Sequence, residues 1–306
     1  MTTLRRLTGA QAHSAAGVLL ASACGDALGA GYEFGPARIH GEDVDMVGGG
    51  TFGWAPGEWT DDTSMAVVIA QVAARGADLR GPAVLDEITA GFVTWAKHAP
   101  DVGIQTRDVL SHVAADPTAA GATAYAAELF ARTGRTGNGA LMRTAPDALA
   151  FLHDPQGRDA AARAVSALTH GDDEAGEACA LWCHAIAHAV LEGTFDGLRL
   201  AVDALPPDRA AMWTKRLDEA EAVAPHEIPH NGWVVAALQA AWSAITRTAV
   251  PEEDPVAGTS PADHLAAALD AAVRAGDDTD TVAALAGALL GARWGASAVP
   301  LAWTRI

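Results

Sequence analysis

Alanine-rich helical segments are the feature of this sequence that most restricts its fold. Along most of the chain, apolar residues return every three or four positions, which is the spacing that lines one face of an α-helix. Alanine and leucine fill these segments, whereas the alternating β-branched runs typical of strands are nearly absent. The sequence therefore predicts an all-α globule. The predicted helices cover residues 14–23, 65–75, 84–95, 123–131, 158–168, 174–191, 234–246, 264–275 and 281–294.

The distribution of glycine and proline bears on domain organisation. At 306 residues the chain is long enough for one large core or two smaller ones. Residues 248–263 are the best loop candidate, but helical periodicity resumes after them, and no stretch has the composition of a flexible linker. We therefore expect a compact single domain from residue 1 to residue 306. Residues 31–59 form the longest glycine-rich stretch without helical periodicity, and we expect either a surface loop or a mobile flap over a site.

Three glycines near the C-terminus, Gly287, Gly291 and Gly295, recur every four residues. Residues four apart lie on the same face of a helix, and glycine has no Cβ atom to hold a neighbour away. This pattern predicts that another helix approaches the last long helix closely along that face.

The charge balance limits the classes of partner. The net charge is -18, with 18 arginines and only two lysines, and half of the residues are apolar. This composition is typical of a folded globular protein. A chain this acidic repels phosphate backbones, which argues against nucleic-acid binding as its main function. A local positive pocket for a phosphorylated small molecule remains compatible with it.

Cysteine usage and hydropathy give an expectation about the compartment. Cys24, Cys179 and Cys183 do not form a disulfide framework, and the last two are four residues apart on a predicted helix. The apolar segment before Cys24 is short for an export signal. The apolar run 282–292 ends at Arg293, well below the roughly 20 residues that cross a membrane. We expect a cytoplasmic protein with no membrane segment.

Two acidic clusters more than two hundred residues apart are the strongest functional signal. Residues 60–63 (TDDT) and 277–281 (DDTDT) each lead directly into an apolar helical run. Carboxylate and hydroxyl oxygens are the ligands that Mg²⁺ prefers. If the two helix starts meet in the fold, they form a site for one or two divalent cations. The alternative is that these residues only cap helices, since Asp and Thr are good N-cap residues.

Other motifs point to no rival chemistry as strongly. The chain has no Gly-Lys pair and therefore no phosphate-binding loop of the Gly-Lys type. His184 and His188 have zinc-protease spacing, but Ala185 stands where the glutamate base is needed. With the nearby cysteines they remain a minor candidate zinc site. A terpene cyclase motif would need an acid at position 65, where the chain has Met65.

Seven motifs together resemble the ADP-ribosylglycohydrolase family, the enzymes related to the dinitrogenase-reductase-activating glycohydrolase. They follow the family order along nearly the whole chain. In this sequence they are GDALGAGYEF (25–34), PGEWTDDTSMAV (56–67), DVGIQT (101–106), GNGALMR (137–143), LTH (168–170), NGWVVAALQAAW (231–242) and AGDDTDTVAALAGALLGA (275–292). The resemblance implies a compact all-α fold, in agreement with the helical periodicity.

The resemblance also implies a centre with two Mg²⁺ ions, for which Mn²⁺ is a possible substitute. Asp280 is expected to bridge the ions, and Asp277 to lie outside the ligand set, either solvated or behind it. The ligands implied by position are Thr60, Asp61, Asp62, Asp278, Asp280 and Thr281.

Residues around the ions are implied in the same way. Asp62 is the preferred general base, and Glu33, on the expected flap, is the second choice. Arg143 belongs to a matching motif, but it is not assigned a catalytic role, because it can equally bridge a helix to a neighbouring acid. The residues expected to bind substrate are Gly103, Asn138, Gly139 and His170.

The implied reaction is hydrolysis of the bond between the distal ribose C1 of ADP-ribose and an acceptor. The expected substrate is an ADP-ribosylated protein, with arginine favoured over serine as the modified side chain. Nucleic acid is expected only as an ADP-ribosylated substrate. Two alternatives remain open: a non-catalytic relative that binds ADP-ribose, and a hydrolase of free ADP-ribose derivatives.

Overall fold

A computed structural model describes residues 6–38, 41 and 44–306, and α-helices dominate that part of the chain. The all-α prediction is confirmed. The helices are α1 (Gly9–Gly29), α2 (Asp61–Ala73), α3 (Pro82–Ala96), α4 (Ile104–Val113), α5 (Ala119–Thr133), α6 (Ala145–Ala150), α7 (Pro155–Ala167), α8 (Asp173–Glu192), α9 (Gly197–Asp203), α10 (Pro207–Ala222), α11 (Val234–Arg247), α12 (His264–Val273) and α13 (Thr279–Trp294).

Every helix predicted from periodicity has a counterpart, and four helices, α4, α6, α9 and α10, were not predicted. The longest of them, α10, buries only Trp213, Leu217 and Ala220 and is otherwise mostly polar. Such a narrow apolar stripe gives a weak periodic signal, although it is wide enough to dock the helix once the core exists.

The buried apolar side chains form two clusters. The larger is built around α1, α8, α11, α12 and α13, and its helix α13 is buried on nearly every side. The smaller is built around α2, α3, α4, α5 and α7. The first acidic cluster lies at the start of α2, which belongs to the smaller apolar cluster. The second lies at the start of α13, which belongs to the larger one. The two acidic clusters therefore lie where the two apolar clusters adjoin. The extent of a single domain from residue 1 to residue 306 stays a prediction.

Helices α1 and α13 lie in very close contact along glycine faces. A Cβ atom added to Gly291 would overlap the carbonyl group of Gly17, and one added to Gly287 would overlap the carbonyl group of Ala21. The predicted close approach is therefore confirmed for these two glycines. Gly295 lies just beyond α13 as its C-cap, with φ +82°.

We expect Gly291→Ala to destabilise the protein by about 1–3 kcal/mol, the usual cost of overpacking a dense core. The added methyl group has no space unless α1 moves away from α13. Chemical denaturation of the variant and the parent measures this loss. Gly9→Ala is the control, because a Cβ atom there meets no neighbour. Equal stability of Gly291→Ala and the parent would contradict the close packing.

The segment before α2 forms turns and no helix in its described residues, 31–38, 41 and 44–59, as expected. A short antiparallel bridge joins Gly49 to Trp54, and another joins Gly35 to Asp277 at the start of the second acidic cluster. We refer to these described residues as the flap segment. In the part of the chain that the structure describes, no helix is long and apolar enough to cross a membrane.

Candidate active site

The two acidic clusters, which are far apart in sequence, lie together in the fold. Carboxylate oxygens of Asp26, Asp62 and Asp280 lie within 4.8 Å of one another, and those of Glu33, Asp278 and Asp280 do so as well. Asp280 belongs to both groups. The Thr281 hydroxyl also donates to Asp62 Oδ2 at 3.5 Å, which links the start of α13 directly to that of α2.

Hydrogen bonds at the start of α2 bear on the capping alternative. Thr60 occupies the N-cap position of α2, and Asp278 occupies that of α13. In both residues the side chain forms no capping hydrogen bond. Asp26, from the end of α1, instead accepts hydrogen bonds from the Thr60 and Thr63 backbone N–H groups at 2.8 and 2.9 Å. The Thr60 hydroxyl donates to Asp62 Oδ2 at 3.1 Å. Because α2 is capped from outside, its own acidic side chains are available to bind a ligand.

Two asparagines position the second cluster. Asn138 Nδ2 donates to Asp278 Oδ2 at 2.8 Å and to the Asn231 carbonyl at 3.0 Å. The Asp278 N–H donates to Asn231 Oδ1 at 3.0 Å. Asn231 is 1% exposed, so it is a buried polar group with its hydrogen bonds satisfied. Together these bonds fix the Asp278 carboxylate next to the loop at 137–139.

The flap segment is attached to the second cluster through the backbone. The Phe34 N–H donates to the Asp277 carbonyl at 2.6 Å, and the Asp277 N–H donates to the Gly35 carbonyl at 2.9 Å. Phe34 and Asp277 both have positive φ, at 60° and 55°, an unusual backbone conformation for a bulky residue such as Phe34. This attachment holds Glu33 beside Asp278 and Asp280. The Asp277 side chain itself is exposed.

The crowded carboxylates have strongly raised pKa values. Burial is the main cause, followed by repulsion from neighbouring carboxylates, and together they raise the pKa of Glu33 to about 9 and that of Asp61 to about 8. The pKa values of Asp62 and Asp280 are also raised well above the usual range, for the same reasons. Asp62 Oδ1 and Glu33 Oε2 are buried without a hydrogen-bond partner. A divalent cation would satisfy these oxygens and neutralise the repulsion, so the donor set fits a metal ion.

A cavity of about 760 Å³ opens over this group of acids. Glu33, Asp61, Asp278, Asp280 and Thr281 form part of its wall. The four residues expected to bind substrate also line it, namely Gly103, Asn138, Gly139 and His170. Asp62 does not line the cavity and lies behind it, at 2% exposure.

His170, in the cavity wall, is buried next to Arg143. Burial, with a smaller contribution from the Arg143 charge, lowers the pKa of His170 to about 3, so the imidazole is neutral. Its Nδ1 lies 2.8 Å from the Thr169 hydroxyl, which also accepts from Arg143 Nη2 at 2.7 Å. Arg143 further donates to the Val165 carbonyl and lies over the Phe92 ring. It therefore bridges helices through a hydroxyl and a carbonyl group, in place of the suggested acid.

The minor zinc candidate is not assembled. Cys179 and Cys183 are fully buried in the larger apolar cluster. His184 Nδ1 lies 2.7 Å from Arg158 Nη2, and His188 Nε2 lies 3.1 Å from the Thr194 hydroxyl. Among the described residues, the only groups of His, Cys, Asp and Glu close enough to hold a metal are the two carboxylate groups given above.

Sequence reasoning missed Asp26 and Asn231 as parts of the site, although both lie within the motifs that carry the family resemblance. Asp26 had a signal that stands out in retrospect. It is an unpaired acid within the apolar helix ASACGDALG, and a buried carboxylate is costly unless it is hydrogen-bonded or binds a cation. Asn231 had no comparable signal, because Asn before a helix is common in turns.

We expect Asp26→Asn to weaken Mg²⁺ binding by about 10–100-fold, the usual effect of removing a residue that orients metal ligands. The amide retains one oxygen for the Thr60 or Thr63 N–H group but leaves the other unsatisfied. Isothermal titration with Mg²⁺ measures the affinity. Asp196→Asn is the matched control, because Asp196 is an exposed N-cap residue on α9 whose side chain makes no capping bond. An unchanged Mg²⁺ affinity in Asp26→Asn would show that Asp26 only caps α2.

The chain was compared with known proteins and solved structures. A model of the ADP-ribosylglycohydrolase family matches residues 8–306. The ADP-ribosylarginine hydrolase Tri1 of Pseudomonas putida (strain GB-1) is 32% identical over 304 residues, which cover 94% of this chain and 72% of that protein. The ADP-ribosyl-(dinitrogen reductase) glycohydrolase of Rhodospirillum rubrum is 28% identical and covers 97% of this chain and 91% of its own length.

A solved structure of an ADP-ribosylglycohydrolase-related protein complex has the same fold. It superimposes with a TM-score of 0.68 at 28% identity and covers 97% of this chain and 93% of that chain. The match of the family model over nearly the whole chain confirms the resemblance read from the motifs, and with it the assignment to glycosidic-bond hydrolases. The chain belongs to the ADP-ribosylglycohydrolase family.

Proposed function

We propose that this protein removes ADP-ribose from modified arginine side chains of proteins, with two Mg²⁺ ions at its centre and Mn²⁺ as a possible substitute. The observation that carries the proposal is the pair of carboxylate groups that share Asp280 beneath a cavity of about 760 Å³. Two relatives named as ADP-ribosylarginine hydrolases, from Pseudomonas putida and Serratia proteamaculans, support arginine over serine as the acceptor.

Eight residues would hold the ions. Asp280 is the proposed bridge, because it alone belongs to both carboxylate groups among the described residues. Bound ions would fix the ribose hydroxyls and lower the pKa of a bound water. The proposed ligands are Thr60, Asp61, Asp62, Asp278, Asp280 and Thr281, with Asp26 and Glu33 close enough to add to them.

The glycine-rich part of the cavity wall, next to Asp61 and Asp278, suits a diphosphate. Gly103 is the N-cap of α4, and the first residues of that helix line the cavity. The start of a helix presents free N–H groups and the positive end of its dipole, which attract anions. Gly137 and Gly139 border the same wall and leave room for a ligand to approach the backbone closely. Arg107 adds positive charge to the cavity wall, whereas Arg135, which also lines it, pairs with Asp108 at 2.9 Å. The proposed phosphate site therefore needs no lysine.

The general base is Glu33 or Asp62. In the hydrolysis, a water oxygen bonds to ribose C1, the bond from C1 to the acceptor nitrogen breaks, and the base takes a proton from the water. The Glu33 carboxylate lines the cavity, whereas Asp62 lies behind it and accepts the Thr60 hydroxyl. This geometry favours Glu33 as the base and Asp62 as a ligand.

Release of ADP-ribose from defined peptides tests the proposal. We expect release from an arginine-linked peptide in Mg²⁺, none in EDTA, and much slower release from a serine-linked peptide. Faster release from the serine-linked peptide would show that serine, and not arginine, is the preferred acceptor. Tight binding of free ADP-ribose without release from either peptide would favour a binding protein or another linkage.

A further inference from the structure

A second cavity, of about 400 Å³, lies directly beside the substrate cavity. The two share the side chains of Asp61 and Asp101 in their walls. The second cavity is otherwise lined by the end of the flap segment, the start of α2 and the end of α3. A group leaving ribose C1 next to Asp61 therefore has a second space available to it, separate from the one proposed for ADP-ribose.

The walls of the second cavity suit a flat cation. Three of the nine tryptophans of the chain line it, namely Trp54, Trp59 and Trp95. Glu58, Asp61 and Asp101 supply carboxylates, and no lysine or arginine is among its lining residues. A guanidinium group stacks on tryptophan faces and pairs with carboxylates, which a neutral alcohol cannot do.

An unsatisfied donor in the same wall points to a bound ligand. Trp54 is 6% exposed, and its Nε1–H group is buried without a hydrogen-bond partner. Buried indole N–H groups normally find an acceptor. An acceptor atom on a bound ligand would satisfy it.

We infer that this second cavity is the acceptor subsite, which receives the guanidinium group of the modified arginine while ADP-ribose fills the substrate cavity. The inference rests on the proposed function and names where its acceptor binds.

The chemistry of the leaving group agrees with this placement. The guanidinium group of the modified arginine is a cation before cleavage. When the bond from C1 to nitrogen breaks, the nitrogen keeps the electron pair and receives a proton in place of C1, which balances the proton that the base takes from water, so the product is again a guanidinium cation. The water oxygen bonds to C1, and its proton goes to the base. Glu58 and Asp101 line the cavity that receives this positive charge. The subsite therefore favours an arginine acceptor over a serine acceptor, which is neutral.

Two substitutions remove these features without touching the proposed ligands. Trp59 is 49% exposed, so Trp59→Leu costs little packing, and Trp59→Phe retains an aromatic face. Glu58→Gln removes the charge but keeps an oxygen for the Ala55 N–H group that Glu58 accepts. The charge control is Glu219→Gln, because Glu219 is an exposed residue on α10 that pairs with Lys215.

The experiment measures kcat/KM for an arginine-linked ADP-ribosyl peptide and the Kd for free ADP-ribose. In Trp59→Leu and Glu58→Gln we expect kcat/KM to fall about 2- to 5-fold, the range of a cation–π contact or ion pair at an exposed site. The Kd for ADP-ribose should stay unchanged. Trp59→Phe should recover most of the loss, and Glu219→Gln should match the parent.

The outcomes separate this inference from the proposed function. If the parent protein does not cleave the arginine-linked peptide, the proposed function fails and the inference falls with it. If the parent cleaves it and both variants cleave it equally well, the function stands and the acceptor subsite is overturned. Weaker ADP-ribose binding in the variants would also overturn it, since the cavity would then serve the nucleotide.

Discussion

Asp280→Asn should lose metal-dependent hydrolysis almost completely, with kcat reduced by about 10³-fold or more, because metal ions contribute several kcal/mol to the stability of such transition states. Asp280 belongs to both carboxylate groups, so a single substitution weakens both proposed ion sites. The amide retains an oxygen that can accept from the Thr281 N–H group, as Asp280 Oδ1 does at 3.0 Å in the parent, so the start of α13 should survive. The loss should therefore come from the site and not from unfolding.

Single-turnover kinetics and isothermal titration with Mg²⁺ measure the two parts of this effect. Asp277→Asn is the matched control three residues earlier, because its side chain is exposed and asparagine tolerates its φ of 55°. Thermal unfolding of both variants without metal checks that the fold is intact. A fully active Asp280→Asn protein in Mg²⁺ would refute the centre with two ions.

Glu33→Gln should reduce kcat by about 10²–10⁴-fold, the usual contribution of a general base, while Mg²⁺ affinity changes less. Glu33 lies in the cavity wall on the flap segment and belongs to only one of the two carboxylate groups. Glutamine has the same shape and keeps one oxygen. The difference in kcat between the variant and the parent therefore measures the contribution of the carboxylate as a proton acceptor.

Asp62→Asn is the partner experiment, because it should produce the opposite pattern. Asp62 accepts hydrogen bonds from the hydroxyl groups of Thr60 and Thr281. It therefore joins the first acidic cluster to the second, and it lies outside the cavity wall. Its loss should weaken Mg²⁺ binding strongly and reduce kcat mainly through the missing ion, so that excess Mg²⁺ recovers part of the rate. If excess Mg²⁺ instead rescues Glu33→Gln and leaves Asp62→Asn inactive, the two roles are exchanged.

Local pattern was enough to predict the fold class and the two acidic clusters of the candidate site, but not Asp26 or Asn231. Alanine-rich periodicity determines an all-α chain, because amphipathic spacing is a property of each segment alone. Helices with a narrow apolar stripe, such as α10, escaped prediction because the core that they dock onto stabilises them. The two acidic clusters could be recognised as candidate metal ligands from their residue types alone, without knowing how far apart they lie in the fold.

The choice between capping and metal binding needed the tertiary structure. From the sequence, Thr60 and Asp278 are equally good N-cap residues and metal ligands. The structure shows that the cap on α2 comes from Asp26 on another helix, so capping does not account for the Thr60 side chain. No local pattern contains that information, because the two partners are 34 residues apart and meet only when α1 packs across α2.

The sequence by itself determined nine of the thirteen α-helices of the described residues, the two acidic clusters, and two glycines of the α13 face that another helix approaches. Only the tertiary structure decided which distant groups share a site: Asp26 with Asp280, Asn231 with Asp278, and three tryptophans around one cavity. The physical reason is that secondary structure follows from interactions over a few residues. A site is built from contacts between segments brought together by burial of apolar surface, and those contacts leave no periodic trace in the chain.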